Sequence, residues 1–147
     1  MKPRFLLDTS CLVAAVCSWH MHHEATTAEI SRRLSRGEEP IMAAPALVEA
    51  YAVLTRLPAP HRLLPTDALA LLEANFISRR HVVALDGRGY TDMLRGAPEL
   101  GIEGGRTYDA VIAHCAIRAR AAHLLTWNEE DFLAWEGKPF QVVVPTS

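Results

Sequence analysis

The chain has few lysines and little net charge, and this shortage excludes a protein that holds nucleic acid by overall charge. Lysine occurs only at Lys2 and Lys138, the formal net charge is −2, and the pI is near 6.4. Any contact with a polyanion must therefore come from local arginine clusters. Arginine binds phosphate better than lysine does, which could explain the arginine excess. A genomic bias toward GC-rich codons gives the same excess, and we take this bias as the larger cause.

Paired cysteines and long uncharged hydrophobic runs are also missing. Cys11, Cys17 and Cys115 form no CxxC pair and no zinc signature, so we interpret them as small core residues of a reduced compartment. Asp8 interrupts the apolar N-terminal region, which argues against an export signal. No later stretch is long enough and free enough of charge to cross a bilayer. The sequence therefore predicts a cytoplasmic protein without a membrane segment.

The chain does have enough apolar residues for one core. Half of its 147 residues are hydrophobic and 22% are charged, so residues 1–147 are predicted to form a single domain. The apolar run 5–7 predicts a buried strand that ends at Asp8, and Thr9 or Ser10 is predicted to N-cap the helix that follows. In open α/β sheets this carboxyl edge is where ligands and catalytic groups collect.

Strand and helix patterns alternate along the rest of the chain. A second helix with Ala25, Ile30 and Leu34 inward ends at Gly37, and a third begins near Pro45. Further helices are predicted over 67–76 after a Thr66 cap, from about 90, and over 110–117 after a Thr107 cap, with strands at 41–43, 81–85, 124–126 and 141–144. This alternation predicts an α/β fold with a mainly parallel sheet and helices on both faces.

Three acids stand alone inside apolar segments: Asp8, Glu49 and Asp109. The segment 46–54 is apolar except at Glu49, so we expect an interior helix and a partly buried Glu49. An ion pair with Arg56 is the structural alternative for Glu49. For Asp109 the alternative is an acid that the dipole of its own helix stabilises.

If these acids converge, their repulsion requires protons or a cation. Three carboxylates about 5 Å apart repel by roughly 10 kcal/mol together at an effective dielectric near 20, which rivals the stability of a domain. Oxygen ligands without histidine or thiolate select Mg²⁺ or Mn²⁺, which suits metal-assisted phosphodiester hydrolysis. His20, His22 and His23 are predicted to lie on different faces of a solvated helix start and not to bind zinc.

Four segments in this order resemble the PIN-domain ribonucleases, and most closely the VapC-like toxins of bacterial toxin-antitoxin pairs. They are FLLDTSCLVAA, PALVEAYAVL, RTYDAVIAHCA and LLTWNEEDF, and together they span nearly the whole chain. The resemblance implies a three-layer α/β/α fold. It also implies Mg²⁺-dependent or Mn²⁺-dependent cleavage of RNA, often tRNA or ribosomal RNA, a cognate antitoxin and a homodimer.

The resemblance also assigns residues. Asp8, Glu49 and Asp109 would be the metal acids, Asn128 or Asp131 would fill the fourth position, and Thr9, Ser10 and Thr126 would be supporting hydroxyls. The family often has aspartate where this chain has Asn128. An amide binds a cation more weakly, which leaves open whether a second metal is held and whether Asp131 compensates.

Two other functions stay open at this point, and so does the choice of arginine. One is a PIN nuclease with an RNA-processing role and no antitoxin. The other is a non-catalytic acidic pocket such as a receiver domain, although a receiver would need paired acids after the first strand and a late lysine. Arg106, close before Asp109, is our choice of RNA ligand among the candidates Arg32, Arg33, Arg36, Arg79, Arg80, Arg106, Arg118 and Arg120.

Overall fold

The computed structural model describes residues 2–79, 81–137 and 139–146, and alternates strands with helices as the sequence predicts. The strands are β1 (Arg4–Leu7), β2 (Glu39–Ala43), β3 (Val82–Val83), β4 (His123–Leu125) and β5 (Gln141–Val143). The helices are α1 (Thr9–Val16), α2 (His23–Ser35), α3 (Ala44–Thr55), α4 (Pro65–Asn75), α5 (Gly87–Gly96) and α6 (Arg106–Arg118). Short 3₁₀ segments cover Ile77–Arg79 and Glu129–Trp135.

The five strands form one parallel sheet in the order β3-β2-β1-β4-β5, with helices on both sides. This confirms the predicted α/β fold class. β1 lies at the centre, where Leu7 is in register with Met42 of β2 and with Leu125 of β4. Phe5 and Leu6 are fully buried, as a strand covered on both faces requires. The carboxyl ends of β1, β2 and β4 consequently lie at one edge of the sheet.

Three predicted helix caps are wrong. Asp8 itself caps α1, because its carboxylate accepts a hydrogen bond from the backbone N–H of Cys11. The cap residues of α4 and α6 are Leu64 and Gly105, and neither makes a side-chain cap hydrogen bond. Thr66 and Thr107 are each the second residue of their helix, because each of these two helices begins one residue before its threonine.

The predicted burial of α3 is also wrong. Its buried residues are Ala46, Leu47, Ala50 and Leu54, which form one stripe, whereas Val48 is 70% exposed. Glu49 is exposed too, and no ion pair with Arg56 occurs among the described residues. An apolar sequence without periodicity does not show which face of a helix the sheet covers, and here one face stays open to solvent.

In α2 the fully buried positions are polar. Thr26, Glu29 and Arg33 are buried, while Ile30 and Leu34 are only partly buried against the core. Glu29 binds Arg33 and Arg32 at 2.7 Å each. An isolated buried charge is too costly to predict from periodicity, but a paired one is tolerated.

Most of the candidate phosphate-binding arginines are engaged elsewhere or lie outside the described residues. Arg32, Arg33 and Arg36 form ion pairs with Glu29 or Glu38, so they are poor candidates for free phosphate ligands. Arg118 and Arg120 are exposed. The Arg79 side chain and all of Arg80 lie outside the described part of the chain. Within that part, no helix combines the length and apolar character needed to cross a bilayer.

Candidate active site

Asp8 lies where β1 ends and α1 begins, and it is 3% exposed. Its carboxylate accepts hydrogen bonds from the Ser10 hydroxyl at 2.6 Å, the Cys11 amide at 3.0 Å and the Thr126 hydroxyl at 2.5 Å. Burial raises the pKa of Asp8, and these hydrogen bonds only partly offset that rise. The bonds leave the carboxylate in one fixed orientation at the sheet edge.

The hydroxyls near Asp8 connect β1 to the segment after β4. Ser10 Oγ also accepts a hydrogen bond from the amide of Trp127 at 3.0 Å, and Thr126 Oγ1 accepts one from the amide of Asn128 at 2.9 Å. Ser10 and Thr126 therefore hold the chain after β4 against Asp8. Of the three predicted supporting hydroxyls, the structure places those of Ser10 and Thr126 beside Asp8. The third, that of Thr9, donates a hydrogen bond of 2.5 Å to Glu49.

The other acids reach the same edge from three elements. Glu49 comes from α3, Asp109 from the first turn of α6 and Asp131 from the 3₁₀ segment after β4. Asp8, Glu49 and Asp109 line one cavity of about 420 Å³, together with Asn128. Glu49 and Asp109 also line an adjoining cavity of about 570 Å³ with Asp131 and Arg106. We call these two adjoining cavities the acidic cleft.

Asp109 is the acid that the surrounding charge affects most clearly. Burial raises its pKa to about 7, with repulsion from Asp131, Asp8 and Glu49 adding to the rise and Arg106 opposing it. A perturbation of this size in a cleft is typical of functional sites. It also argues against the interpretation of Asp109 as a simple helix-start acid, because the helix dipole would lower the pKa.

The acidic cleft has the donor chemistry of a hard cation but not a preformed cage. Across residues 2–79, 81–137 and 139–146, no group of three His, Cys, Asp or Glu side chains is close enough to hold a metal ion directly. Hydrogen bonds already occupy part of Asp8 and Glu49. These residues fit an ion that keeps several waters and takes one or two carboxylates, as Mg²⁺ does, and the repulsion on Asp109 is what such an ion would relieve.

The two candidates for the fourth position lie in different places. Asn128 is exposed and lines the 420 Å³ cavity near Asp8. Asp131 lines the other cavity, and of the charged neighbours it contributes most to the raised pKa of Asp109. Arg106 lies 3.6 Å from Asp131, so the predicted RNA ligand is in the acidic cleft but already close to one acid.

Sequence reasoning missed the rings beside the acids. His20, His22 and Trp127 line the cavity that contains Asp8 and Asp109. The expectation that the three histidines form only a solvated helix start is therefore wrong for His20 and His22. The Nδ1 of His23 instead donates to the carbonyl of Ala14 at 2.9 Å. The cluster of ring residues at 19–23 was the available signal, but its partner Trp127 is distant in sequence.

Comparison with known proteins agrees with this architecture. The family model described as PIN domain matches residues 5–136. The chain therefore belongs to the PIN-domain family, and the predicted resemblance is confirmed. This family membership does not support the receiver-like alternative.

Within this family the chain is similar to VapC proteins. It is 43% identical over 119 residues to Ribonuclease VapC40 of Mycobacterium tuberculosis, covering 81% of this chain and 82% of the relative. Two solved structures share the fold at low identity. They are VapBC2 from Rickettsia felis bound to a promoter DNA fragment (TM-score 0.69, 18% identity, 97% and 99% covered) and the sarcin-ricin loop cleaving toxin VapC20 of M. tuberculosis (TM-score 0.67, 13% identity, 91% and 97% covered).

Proposed function

We propose that this chain is a metal-dependent endoribonuclease that hydrolyses RNA phosphodiester bonds at the acidic cleft, and that it is the toxin of a toxin-antitoxin pair. The observation that carries the proposal is the convergence of Asp8, Glu49 and Asp109 on one cavity at the carboxyl edge of the sheet, with the raised pKa of Asp109 as supporting evidence. The 43% identity to a protein named Ribonuclease VapC40 supports RNA as the substrate class.

The cofactor in this proposal is Mg²⁺ or Mn²⁺. Asp8, Asp109 and Glu49 would hold it, with Asp131 or Asn128 in the fourth position. When bound, the ion would activate a water molecule and neutralise charge on the phosphodiester. The chain's own contribution is to position the ligands: Ser10 and Thr126 orient Asp8, and Thr9 orients Glu49.

Arg106 would position the RNA. Its side chain is 60% exposed and lines the same cavity as Asp109. A phosphate that approaches this cleft would compete with Asp131 for the guanidinium. The RNA is proposed to be tRNA or ribosomal RNA, for which the sarcin-ricin loop cleaving toxin VapC20 offers a precedent in the same fold.

The proposed protein partners are an antitoxin and a second copy of the chain. An apolar groove of about 430 Å³ opens next to the acidic cleft and is lined by Val48, Ala52, Tyr90, Tyr108 and Val111. Val48 and Tyr108 are 70% and 68% exposed, which is typical of a surface that binds protein. The free, buried state of all three cysteines supports a cytoplasmic location.

Cleavage of RNA by the purified protein tests the activity. We expect cleavage with Mg²⁺ or Mn²⁺, none with EDTA, and loss of at least about 100-fold in Asp109→Asn, the range of one general catalytic or charge-stabilising group. Asp92→Asn is the matched control, because Asp92 is an exposed acid of α5 that pairs with Arg88 and Arg95. Full activity of Asp109→Asn, or activity in EDTA, would contradict the proposal.

A role in RNA processing without an antitoxin is the second candidate. The neighbouring gene discriminates between the two, because a small upstream reading frame with a DNA-binding N-terminus favours the toxin. Sequencing the 5′ ends of cellular RNA after brief induction identifies the target. Cuts confined to one maturation site would favour processing, whereas cuts in mature tRNA or ribosomal RNA would favour the toxin.

A further inference from the structure

Five rings form a chain of neighbours beside the acidic cleft, and we call them the ring row. Its members, in spatial order, are Trp127, His22, His20, Trp19 and His61. The two end pairs are stacked. The ring centroids of Trp127 and His22 are 3.7 Å apart with an interplanar angle of 8°, and those of Trp19 and His61 are 3.9 Å apart with an interplanar angle of 19°. The intermediate ring centroids are 5.6 and 5.8 Å apart and tilted by 43° and 44°.

Hydrogen bonds connect the ring row to Asp8. Ser10 Oγ donates to Asp8 and accepts from the Trp127 amide. The indole Nε1–H of Trp127 donates to Thr26 Oγ1 at 2.8 Å, and that hydroxyl donates to the carbonyl of His22 at 2.7 Å. The position of the first two rings is therefore set relative to the acid, which a surface cluster without a role in the cleft would not require.

The tautomer of His20 follows from its contact with the backbone. The amide of His22 donates to Nδ1 of His20 at 3.0 Å, so in the neutral ring the proton is on Nε2. Burial lowers the pKa of His20, and repulsion by His22 and His23 adds to the effect, which favours this neutral ring. No partner of the Nε2–H occurs among the residues that the structure describes, so His20 offers a hydrogen-bond donor at the cavity wall.

A purely structural role explains the ring row less well. Rings that only fasten the α1–α2 connection to the loop before α4 would be expected to be buried. Trp19 is instead 47% exposed, and His20, His22 and Trp127 face a cavity of about 420 Å³. This volume lies within the roughly 300 to 1,000 Å³ of small-ligand sites.

We propose that the ring row binds unstacked nucleobases of single-stranded RNA next to the bond that is cut at the acids. This inference rests on the proposed ribonuclease function. Nucleobases in single strands stack on aromatic and imidazole rings and use their edges for hydrogen bonds, for which the Nε2–H of His20 is placed.

The charge distribution of the molecule favours a base-binding role for the ring row. The acidic cleft repels phosphate, the net charge is −2, and Arg32, Arg33 and Arg36 are held in ion pairs. Arg106 is the phosphate ligand proposed above, and the repulsion from the acids limits what its electrostatic attraction adds to the affinity. Base stacking raises the affinity by roughly 5- to 150-fold per base and is independent of phosphate charge. It therefore compensates for the weak attraction of the acidic cleft for phosphate.

Tryptophan fluorescence measures the contact without cleavage. The probe is a short single-stranded RNA, added to the protein in EDTA. We expect the RNA to quench the parent protein, and Trp19→Phe to remove a large share of that quenching while RNA still binds. Trp135→Phe is the control, because Trp135 is 7% exposed and lies outside the ring row. Quenching that Trp19→Phe leaves unchanged would overturn the placement of a base at Trp19.

Abasic RNA tests the ring row without altering the protein. In RNAs that each lack one base near a mapped cut, we expect one or two neighbouring positions to lower kcat/KM of the parent by roughly 5- to 150-fold. On intact RNA, Trp19→Ala and His20→Ala should each lower kcat/KM by a similar factor. On the RNA that lacks the base bound by the replaced ring, the same variants should lower kcat/KM little further. His81→Ala should behave as the parent does, because the His81 ring lies 3.9 Å from Glu39 at the amino end of β2 and outside the ring row.

The outcomes separate this inference from the proposed function. Metal-dependent cleavage with a flat abasic series, or with ring variants as active as the parent, would overturn the ring row as a base site and leave the nuclease proposal standing. A parent that neither cuts nor binds RNA would overturn both. Additive losses from Trp19→Ala and the abasic position would show that the two do not touch.

Discussion

At the scale of single residues, Asp109 and Arg106 are the two side chains of the acidic cleft whose roles are most open to test. They lie on the first turn of the same helix and have opposite charge. Asp109 has a pKa of about 7, and Arg106 lies 3.6 Å from Asp131. Replacing either residue should therefore have effects that a purely structural residue would not show.

Asp109→Asn should stabilise the metal-free protein increasingly as the pH rises. The folded pKa of Asp109 lies above the ordinary value of 3.8, so the parent loses stability from about pH 4 to about pH 7, where only the folded state still holds the proton. The amide has no such titration. Melting temperatures of both proteins in EDTA at pH 5 and pH 8 measure the effect, and a difference that does not grow with pH would contradict it.

Divalent metal should reduce or reverse the stability advantage of Asp109→Asn over the parent. At the proposed site Mg²⁺ or Mn²⁺ would bind the native state, so it should raise the melting temperature of the parent and raise that of Asp109→Asn much less. Asp92→Asn, on exposed α5, should respond as the parent does. A destabilised Asp109→Asn that still cuts RNA would mean that Asp109 is only a helix-start acid, whose loss costs about 0.3 to 1 kcal/mol.

Arg106→Ala should weaken RNA binding and flatten its salt dependence. One lost phosphate contact lowers the slope of log K against log salt by about 0.7 for a single strand. Arg118→Ala is the matched control, because Arg118 is also exposed but lies at the other end of α6. Filter binding across a salt series in EDTA gives the slope, and an unchanged slope in Arg106→Ala would remove the assignment.

At the scale of elements, α2 depends on an ion pair where the sequence predicts an apolar face. Arg33 and Glu29 are 6% and 7% exposed, and Arg33 also binds Glu38 at 2.9 Å. Burial alone would raise the pKa of Glu29, but the hydrogen bonds and charges of Arg32 and Arg33 lower it. The buried network stabilises the fold only while both signs are present.

Arg33→Met should therefore destabilise the protein by about 3 to 5 kcal/mol, because it leaves Glu29 buried without its main partner. The double variant Arg33→Met, Glu29→Leu should recover much of that loss, because no buried charge remains unpaired. Urea unfolding at neutral pH measures both. If the double variant were no more stable than Arg33→Met, the loss would come from packing and not from the unpaired charge.

At the scale of the whole molecule, α3 and α6 expose large apolar side chains next to each other. Val48 and Tyr108 project from these helices beside a groove of about 430 Å³. Because such surfaces mark protein contacts, the predicted homodimer and the proposed antitoxin are both plausible occupants.

The free protein should form a symmetric dimer. Light scattering at micromolar concentration should give a mass near twice 16.2 kDa. Val48→Lys should lower that mass if the groove carries the dimer contact, and leave it unchanged if the groove is kept for another partner. A parent that scatters as a monomer would contradict the dimer.

The sequence by itself determined the elements of this protein and the types of residue in its site. Buried strands need continuous apolar runs, so β1, β2 and β4 were predictable to within one or two residues. The parallel sheet followed from the alternation of strands and helices, and Asp8 followed from its position at the end of β1. Glu49 and Asp109 were recognisable as lone acids inside apolar segments, and the resemblance over four segments added Asn128 and Asp131 as candidates for the fourth position.

Only the tertiary structure decided which faces are covered and which distant residues meet. Strand order places β4 beside β1 and so joins Thr126 to Asp8, a contact across 118 positions of sequence. It also brings Trp127 onto His22, which turned an expected solvated helix start into a wall of the cleft. Periodicity is a local property, whereas burial of Glu29, exposure of Glu49 and the raised pKa of Asp109 depend on neighbours that the chain supplies from elsewhere.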